Sequence, residues 1–194
     1  MEAGKWYILG NPFISLDGAT TYKLNDAFAG SGFAAGDVLY TMDDSGIFTS
    51  HYWNVTNGGW STHKVAWRED NTDYSASTAV YLHKLSDGSF TFSGKVASIE
   101  VEVGDEAGEV WSLTSVTYPE SKKLGELTWT GFTSGDVLYT MDDTGLFTPH
   151  YWNTANNGWS THKVAWREDT TPLAVGQALY IRKRSAGKGT ISHQ

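Results

Sequence analysis

Polar and apolar positions along this chain alternate far more often than they recur at helical spacing. The cleanest case is 98–103, where Ile99, Val101 and Val103 alternate with Glu100 and Glu102. A period of two predicts a strand with one buried face. Residues 38–42 (VLYTM) and 47–54 (IFTSHYWN) flank Asp43-Asp44-Ser45-Gly46, and so read as a hairpin closed by a glycine turn. A second turn at Asn57-Gly58-Gly59 leads into 60–67 (WSTHKVAW) as the third strand of a meander. On that strand Ser61, His63, Val65 and Trp67 share a face, and the Val65/Trp67 face is expected to enter the core. Residues 5–9 predict an opening strand, 78–84 and 89–96 a hairpin across Ser86-Asp87-Gly88, and 109–118 the opening strand of a second unit. The one helix signal is 24–30, with Asn25 placed to cap it and Gly30 to end it.

These elements occur twice. The stretch from Gly36 to Asp70 returns 99 positions later, from Gly135 to Asp169, and only six of the 35 aligned positions differ. The flanks have drifted: between 71–95 and 170–194 just eight of 25 positions agree. Repetition at this length sets the architecture as one unit present twice, with domains at 1–96 and 97–194. The expected fold class is all-β, two tandem antiparallel β-sandwich or barrel-like domains with very little helix. Either a recent duplication of the block or a surface used once per unit accounts for the near-identity. Strand 98–103 precedes the second unit and has no counterpart ahead of Glu2. If it pairs within unit two, unit one keeps a vacant edge that can template pairing with another chain. Ile99, Val101 and Val103 are therefore the candidate strand-exchange edge.

Composition narrows the function classes. A net charge of −8 disfavours a phosphate backbone as partner, so nucleic acid is not expected. No apolar run reaches the ~18 residues of a membrane helix, so no membrane insertion is expected. The sequence has no cysteine, hence no disulfide, thiolate metal site or thiol nucleophile. No signal peptide is visible, although Met1 can stand in for a cleaved one. His51 and His63 would face each other across two paired strands, yet two imidazoles alone make a weak metal site, and hydrogen-bonded histidine is the expectation. Asp43-Asp44-x-Gly46 lacks the oxygen spacing of a calcium loop, and Arg68-Glu69-Asp70 reads as an ion-pair cluster. No carboxylate pair, nucleophile elbow or phosphate loop stands out, so no catalytic residue, metal or cofactor is assigned and an enzyme is not expected.

The nine Trp, ten Tyr and eight Phe are the stronger lead. Tyr52 and Trp53 are neighbours on one strand, so their rings point to opposite faces, and at least one is left to meet solvent or a partner. Tyr52, Trp53, Trp60 and His63, repeated as Tyr151, Trp152, Trp159 and His162, form the candidate interaction surface.

The run TYKLNDAFAGSGFAAGDVLYT, the Trp-bearing hairpin, VYLHK…TFSGKV and the leading WYILGNPF resemble poorly characterised tandem β-domains of secreted or surface proteins from bacteria. Unit two departs from that pattern at 113–119. The resemblance implies an extracellular or cell-surface location and no activity. The function expected is that of a non-enzymatic structural repeat protein that associates with copies of itself, head to tail into filaments or arrays. The alternative is a bivalent carbohydrate-binding module whose duplicated Trp/Tyr platforms take glycans.

Overall fold

The computed structural model describes residues 1–28, 30, 32–91, 94–96, 99–118 and 120–193. The first half carries β1 (Trp6–Gly10), β2 (Phe13–Ile14), β3 (Thr21–Lys23), helix α1 (Leu24–Ala27), β4 (Val38–Met42), β5 (Phe48–Asn54), β6 (Gly59–Ser61), β7 (Asp73–Ser75), β8 (Ala79–His83) and β9 (Lys95–Val96). The second half carries β10 (Val101–Val103), β11 (Val110–Ser115), β12 (Lys122–Lys123), a 3-10 turn at Leu124–Glu126, β13 (Leu127–Thr130), β14 (Val137–Met141), β15 (Phe147–Asn153), β16 (Gly158–Ser160), β17 (Pro172–Leu173), β18 (Ala178–Lys183) and β19 (Gly189–His193). The chain is almost entirely β. Among the described residues no helix is long and apolar enough to cross a membrane.

Each half builds its own five-stranded antiparallel sheet, in order β1-β8-β4-β5-β6 and β11-β18-β14-β15-β16. The inner face of each sheet carries a core centred on two crossed indoles. Trp53 and Trp60 lie 5.3 Å apart at 70°, and Trp152 and Trp159 lie 5.2 Å apart at 78°. Edge-to-face contact is the arrangement the ring quadrupole favours. Leu24, Leu39, Val80 and Leu82 complete the first core, and Leu124, Leu138, Leu179 and Ile181 the second.

The repeated meander stops short of its expected third strand. β6 ends at Ser61, and the chain then bends through 62–66. Val65 is 86% exposed and Trp67 38%, so the Val65/Trp67 face does not enter the core. The cause is local. Ser61 Oγ accepts the His63 and Arg68 N–H groups and donates to the His63 and Ala66 carbonyls. Side-chain bonds to backbone here displace a sheet ladder. The hairpin expected between 78–84 and 89–96 is also not formed, because β8 has β1 on one edge and β4 on the other. The chain beyond it, whose residues 92 and 93 lie outside those described, reaches β9, which pairs with β2. Asn25 does not cap the helix. Its side chain instead donates to the Trp60 and Asp70 carbonyls and accepts the Trp60 N–H.

Strand β10 pairs with β19 in a three-stranded sheet, β10-β19-β13, inside the second half. Val101 and Val103 are buried in that unit's core, while Ile99 is half-buried and exchanges hydrogen bonds with Thr117. The candidate strand-exchange residues are thus already committed to unit two; Ser98 lies outside the described residues.

The outer faces of the two large sheets pack on one another. Ala79, Leu113 and Ala178 form the centre of this seam, with Ile8, Met42, Tyr81 and Tyr180 against them. Ser115 N–H and the Thr114 hydroxyl both donate to the Ser77 carbonyl, at 2.7 and 2.6 Å. The approach depends on Gly10, where a Cβ would stand 2.3 Å from that of Ser115.

Candidate functional site

Three arrangements hold the chemistry-bearing side chains, and the first lies inside the units. On the inner face of unit one, His51 of β5 sits with Nε2 2.8 Å from Thr41 Oγ1 and with Nδ1 bonded to the Asp70 carboxylate. Unit two repeats it: His150 lies 2.9 Å from Thr140 and 2.5 Å from Asp169. Burial works to raise the Asp70 carboxyl, and hydrogen bonds from His51 and Thr72 outweigh it, holding the group below the ordinary carboxylate range; Asp169 behaves alike. Hydroxyl, imidazole and carboxylate stand in the order of a hydrolytic triad. Here, however, imidazole and carboxylate are fully buried, and the bonds run from β4 through β5 to the end of the loop after β6. They clamp that loop to the sheet.

The clamp also answers the histidine pair. Both ring nitrogens of His51 are engaged, and Nδ1 of His63 accepts the N–H groups of Val65 and Ala66 at 3.2 and 3.0 Å. The two imidazoles do not meet. Among the described residues there is no group of three His, Asp or Glu side chains placed to hold a metal.

The second arrangement is the loop itself, 62–69, and its copy at 161–168. Thr62 N–H donates to the Arg68 carbonyl, Ser61 Oγ ties the interior, and Trp67 rests against the backbone at Gly59. His63 and His162 are exposed on these loops.

The third lies at the seam. Alternate residues of the same strands point away from each core, which sets Trp6, Tyr40, Phe48 and Tyr81 on one outer face and Trp111, Tyr139, Phe147 and Tyr180 on the other. The faces touch: Tyr81 lies 6.4 Å from Tyr180 and 6.3 Å from Phe147. In unit two Trp111 stacks on Tyr180 at 4.6 Å. In unit one Trp6 stacks instead on His83 at 4.4 Å and stays 45% exposed. An open groove of about 400 Å³ results, lined by Trp6, Tyr40, Phe48, Tyr81, Phe147 and Tyr180. A further hollow of about 290 Å³ shares Trp6, Tyr81 and Phe147 with it and adds Lys5 and Thr144. Burial pushes the Tyr81 and Tyr180 hydroxyls up, so both stay neutral donors at neutral pH. The groove walls are flat and almost wholly apolar, and Lys5 and Thr144 line the adjoining hollow.

Of the rings expected at a surface, Trp53, Trp60, Trp152 and Trp159 are core residues. Each takes the inward position of its strand, and the inner face needs large volume there. Tyr52 and Tyr151 are half-buried and share the outer face with Phe48 and Phe147. The sequence reading missed the seam rings, though Tyr40, Phe48 and Tyr81 all stand at outward positions in their strands. It also missed a buried ion pair, Lys84 with Asp37, repeated as Lys183 with Asp136. Its signal was present: Lys84/Lys183 is among the few identities in the drifted flank. No family model matches the chain, and no curated protein or solved structure compared with it matches either.

Proposed function

We propose that this protein is a non-enzymatic carbohydrate-binding module of the cell surface or extracellular space, and that its sugar site is the aromatic groove at the seam. The observation that carries the reading is the exposure of flat rings at one opening: Trp6 at 45%, Phe48 at 43% and Phe147 at 37%. Pyranose rings present apolar C–H faces that stack on such walls, and hydroxyls that Lys5 and Thr144 of the adjoining hollow can meet. Since both units contribute to one groove, the site is single per chain, in place of the paired platforms expected from the repeat.

The test is calorimetric titration of the chain with neutral oligosaccharides of several linkages. Binding by the wild type should weaken about tenfold on Trp6→Ala or Phe147→Ala, as loss of one ring contact of about 1.4 kcal/mol implies. Trp67→Ala, on the remote loop, should leave it unchanged. Absence of binding to any sugar, or equal binding by a Trp6→Ala/Phe147→Ala double variant, would overturn the assignment.

A further inference from the structure

The repeated loop is exposed yet identical between the units. Buried positions differ between the units: Tyr74 against Leu173, Val80 against Leu179, Leu82 against Ile181. The eight residues 62–69, all exposed, are identical to 161–168, all exposed. Surface loops ordinarily drift first and cores last. Within the block the buried residues are held as well, Leu39, His51, Trp53, Trp60 and Asp70 returning as Leu138, His150, Trp152, Trp159 and Asp169. Five of the six positions that differ there (45, 47, 55, 56 and 58) are exposed, and the exposed loop 62–69 has not drifted with them.

The loop is also pre-shaped. Ser61 Oγ, the His63 ring and the buried His51–Asp70 clamp hold its backbone, so little ordering remains to be done on contact. What it presents is a valine, 86% exposed in unit one and 88% in unit two, between a lysine and an arginine. Among the described residues Lys64, Arg68, Lys163 and Arg167 take part in no ion pair. On a chain of net charge −8 each loop sets two cations against one exposed carboxylate, Glu69 or Glu168, around its apolar centre.

The complementary surface is in the same repeated block. The tip of the β4–β5 hairpin exposes Asp43 and Asp44 beside Ile47, which is 63% exposed; its copy exposes Asp142 and Asp143 beside Leu146, at 65%. Asp43 accepts the Ser45 and Ile47 N–H groups, which fixes the shape of the tip. We infer that the loop of one copy receives the hairpin tip of another, Lys64 and Arg68 facing the aspartates and Val65 meeting Ile47. Two different patches meet in this contact, so it is heterologous, and two of each per chain allow an open array. Self-association, expected from a free strand edge, is thereby carried by a different surface.

Sedimentation velocity of the full chain from micromolar to millimolar concentration tests it. The average mass of the wild type should climb with concentration, and Lys64→Glu with Lys163→Glu should return it to the 21.3 kDa of one chain. Asp44→Lys with Asp143→Lys should do the same, and all four changes in one chain should restore assembly. The four sites are exposed, and unchanged circular dichroism will show that each variant folds. The inference is overturned if the wild type stays monomeric, if reversal leaves assembly intact, or if the fourfold variant fails to reassemble. Retention of a monomeric wild type on dextran sulfate would assign the loops to an anionic polymer instead. The 142–145 tip borders the hollow beside the groove. The Lys64→Glu/Lys163→Glu pair, on loops outside the groove lining, is therefore the variant that separates assembly from sugar binding: it should lose assembly and keep sugar affinity.

Discussion

The two units share a sheet and differ in what covers it. Unit two lays the β10-β19-β13 sheet over its core, contributing Val101, Val103, Leu127, Trp129 and Ile191. Unit one covers the corresponding space with α1 and Phe28, while Met1, Tyr22 and Phe90 pack at the margin. The same crossed indoles and the same His–Asp clamp sit beneath both covers. The repeated block therefore specifies a base that tolerates alternative lids, and its drifted flanks are where the lids are encoded. The buried lysines follow the same division. In unit one Lys84 meets Asp37 directly and donates to the Gly32 carbonyl at 2.7 Å. In unit two Lys183 stands 3.7 Å from Asp136, with the Ser185 hydroxyl 2.5 Å from the ammonium and 2.9 Å from the carboxylate.

That contrast sets the largest expected effect. Lys84→Ala should destabilise unit one by about 3–5 kcal/mol, because it strands a buried carboxylate that loses its direct counter-charge. Each aspartate keeps two backbone N–H groups, those of Ala34 and Leu85 on Asp37 and of Thr133 and Arg184 on Asp136. Lys183→Ala should cost less, since beyond these the Ser185 hydroxyl and N–H still bond Asp136. Hydrogen exchange resolved by segment would separate the two. Equal losses would show that the serine bridge carries no part of the pair.

The sequence exposed the base more clearly than the lids for a physical reason. Period-two alternation and glycine turns are local, and they located β4, β5 and β8 and the hairpin at 43–46. The partner of β10 lies some ninety residues away in β19, beyond anything local pattern reports. The loop at 62–69 misled because its alternation fits a strand as well as a bend; the Ser61 and His63 bonds that decide it are side-chain geometry. Face assignment failed likewise for the tryptophans, since adjacent Tyr52 and Trp53 give no sign of which one the core will claim. The groove, which is split between two units, could not be read before their seam was known.

A second effect tests the lids directly. Val103→Ala should cost about 1.5–3 kcal/mol of unit two's stability, the worth of a buried valine side chain, and leave unit one's exchange rates alone. Spread of the loss into unit one would mean that the seam couples the two as one cooperative body.

The clamp should be indifferent to the lid. Asp70→Asn and Asp169→Asn are each expected to cost about 1–3 kcal/mol at neutral pH, the penalty of an impaired buried hydrogen bond. Both native carboxyls are held below their ordinary value, so their contribution is full above the unfolded pKa of about 3.9. It is lost as pH falls through the lower folded value. Denaturation midpoints followed down to that range should drop for the wild type and flatten for the Asn variants, to the same degree in both units.

The smallest effect asks whether the lid supplies polar partners as well as bulk. Trp60 Nε1–H donates to the Phe28 carbonyl at the end of α1, at 3.2 Å, whereas Trp159 Nε1 has no partner among the described residues. Replacing either indole by phenylalanine removes similar volume, but only the first change breaks a bond. Trp60→Phe should therefore be the more destabilising of the two by about 1 kcal/mol, the net worth of one such hydrogen bond. Chemical denaturation of both variants, read against the wild type, measures that difference. A zero difference would mean that a water satisfies Trp159, and that helix and sheet are equivalent covers for the repeated core.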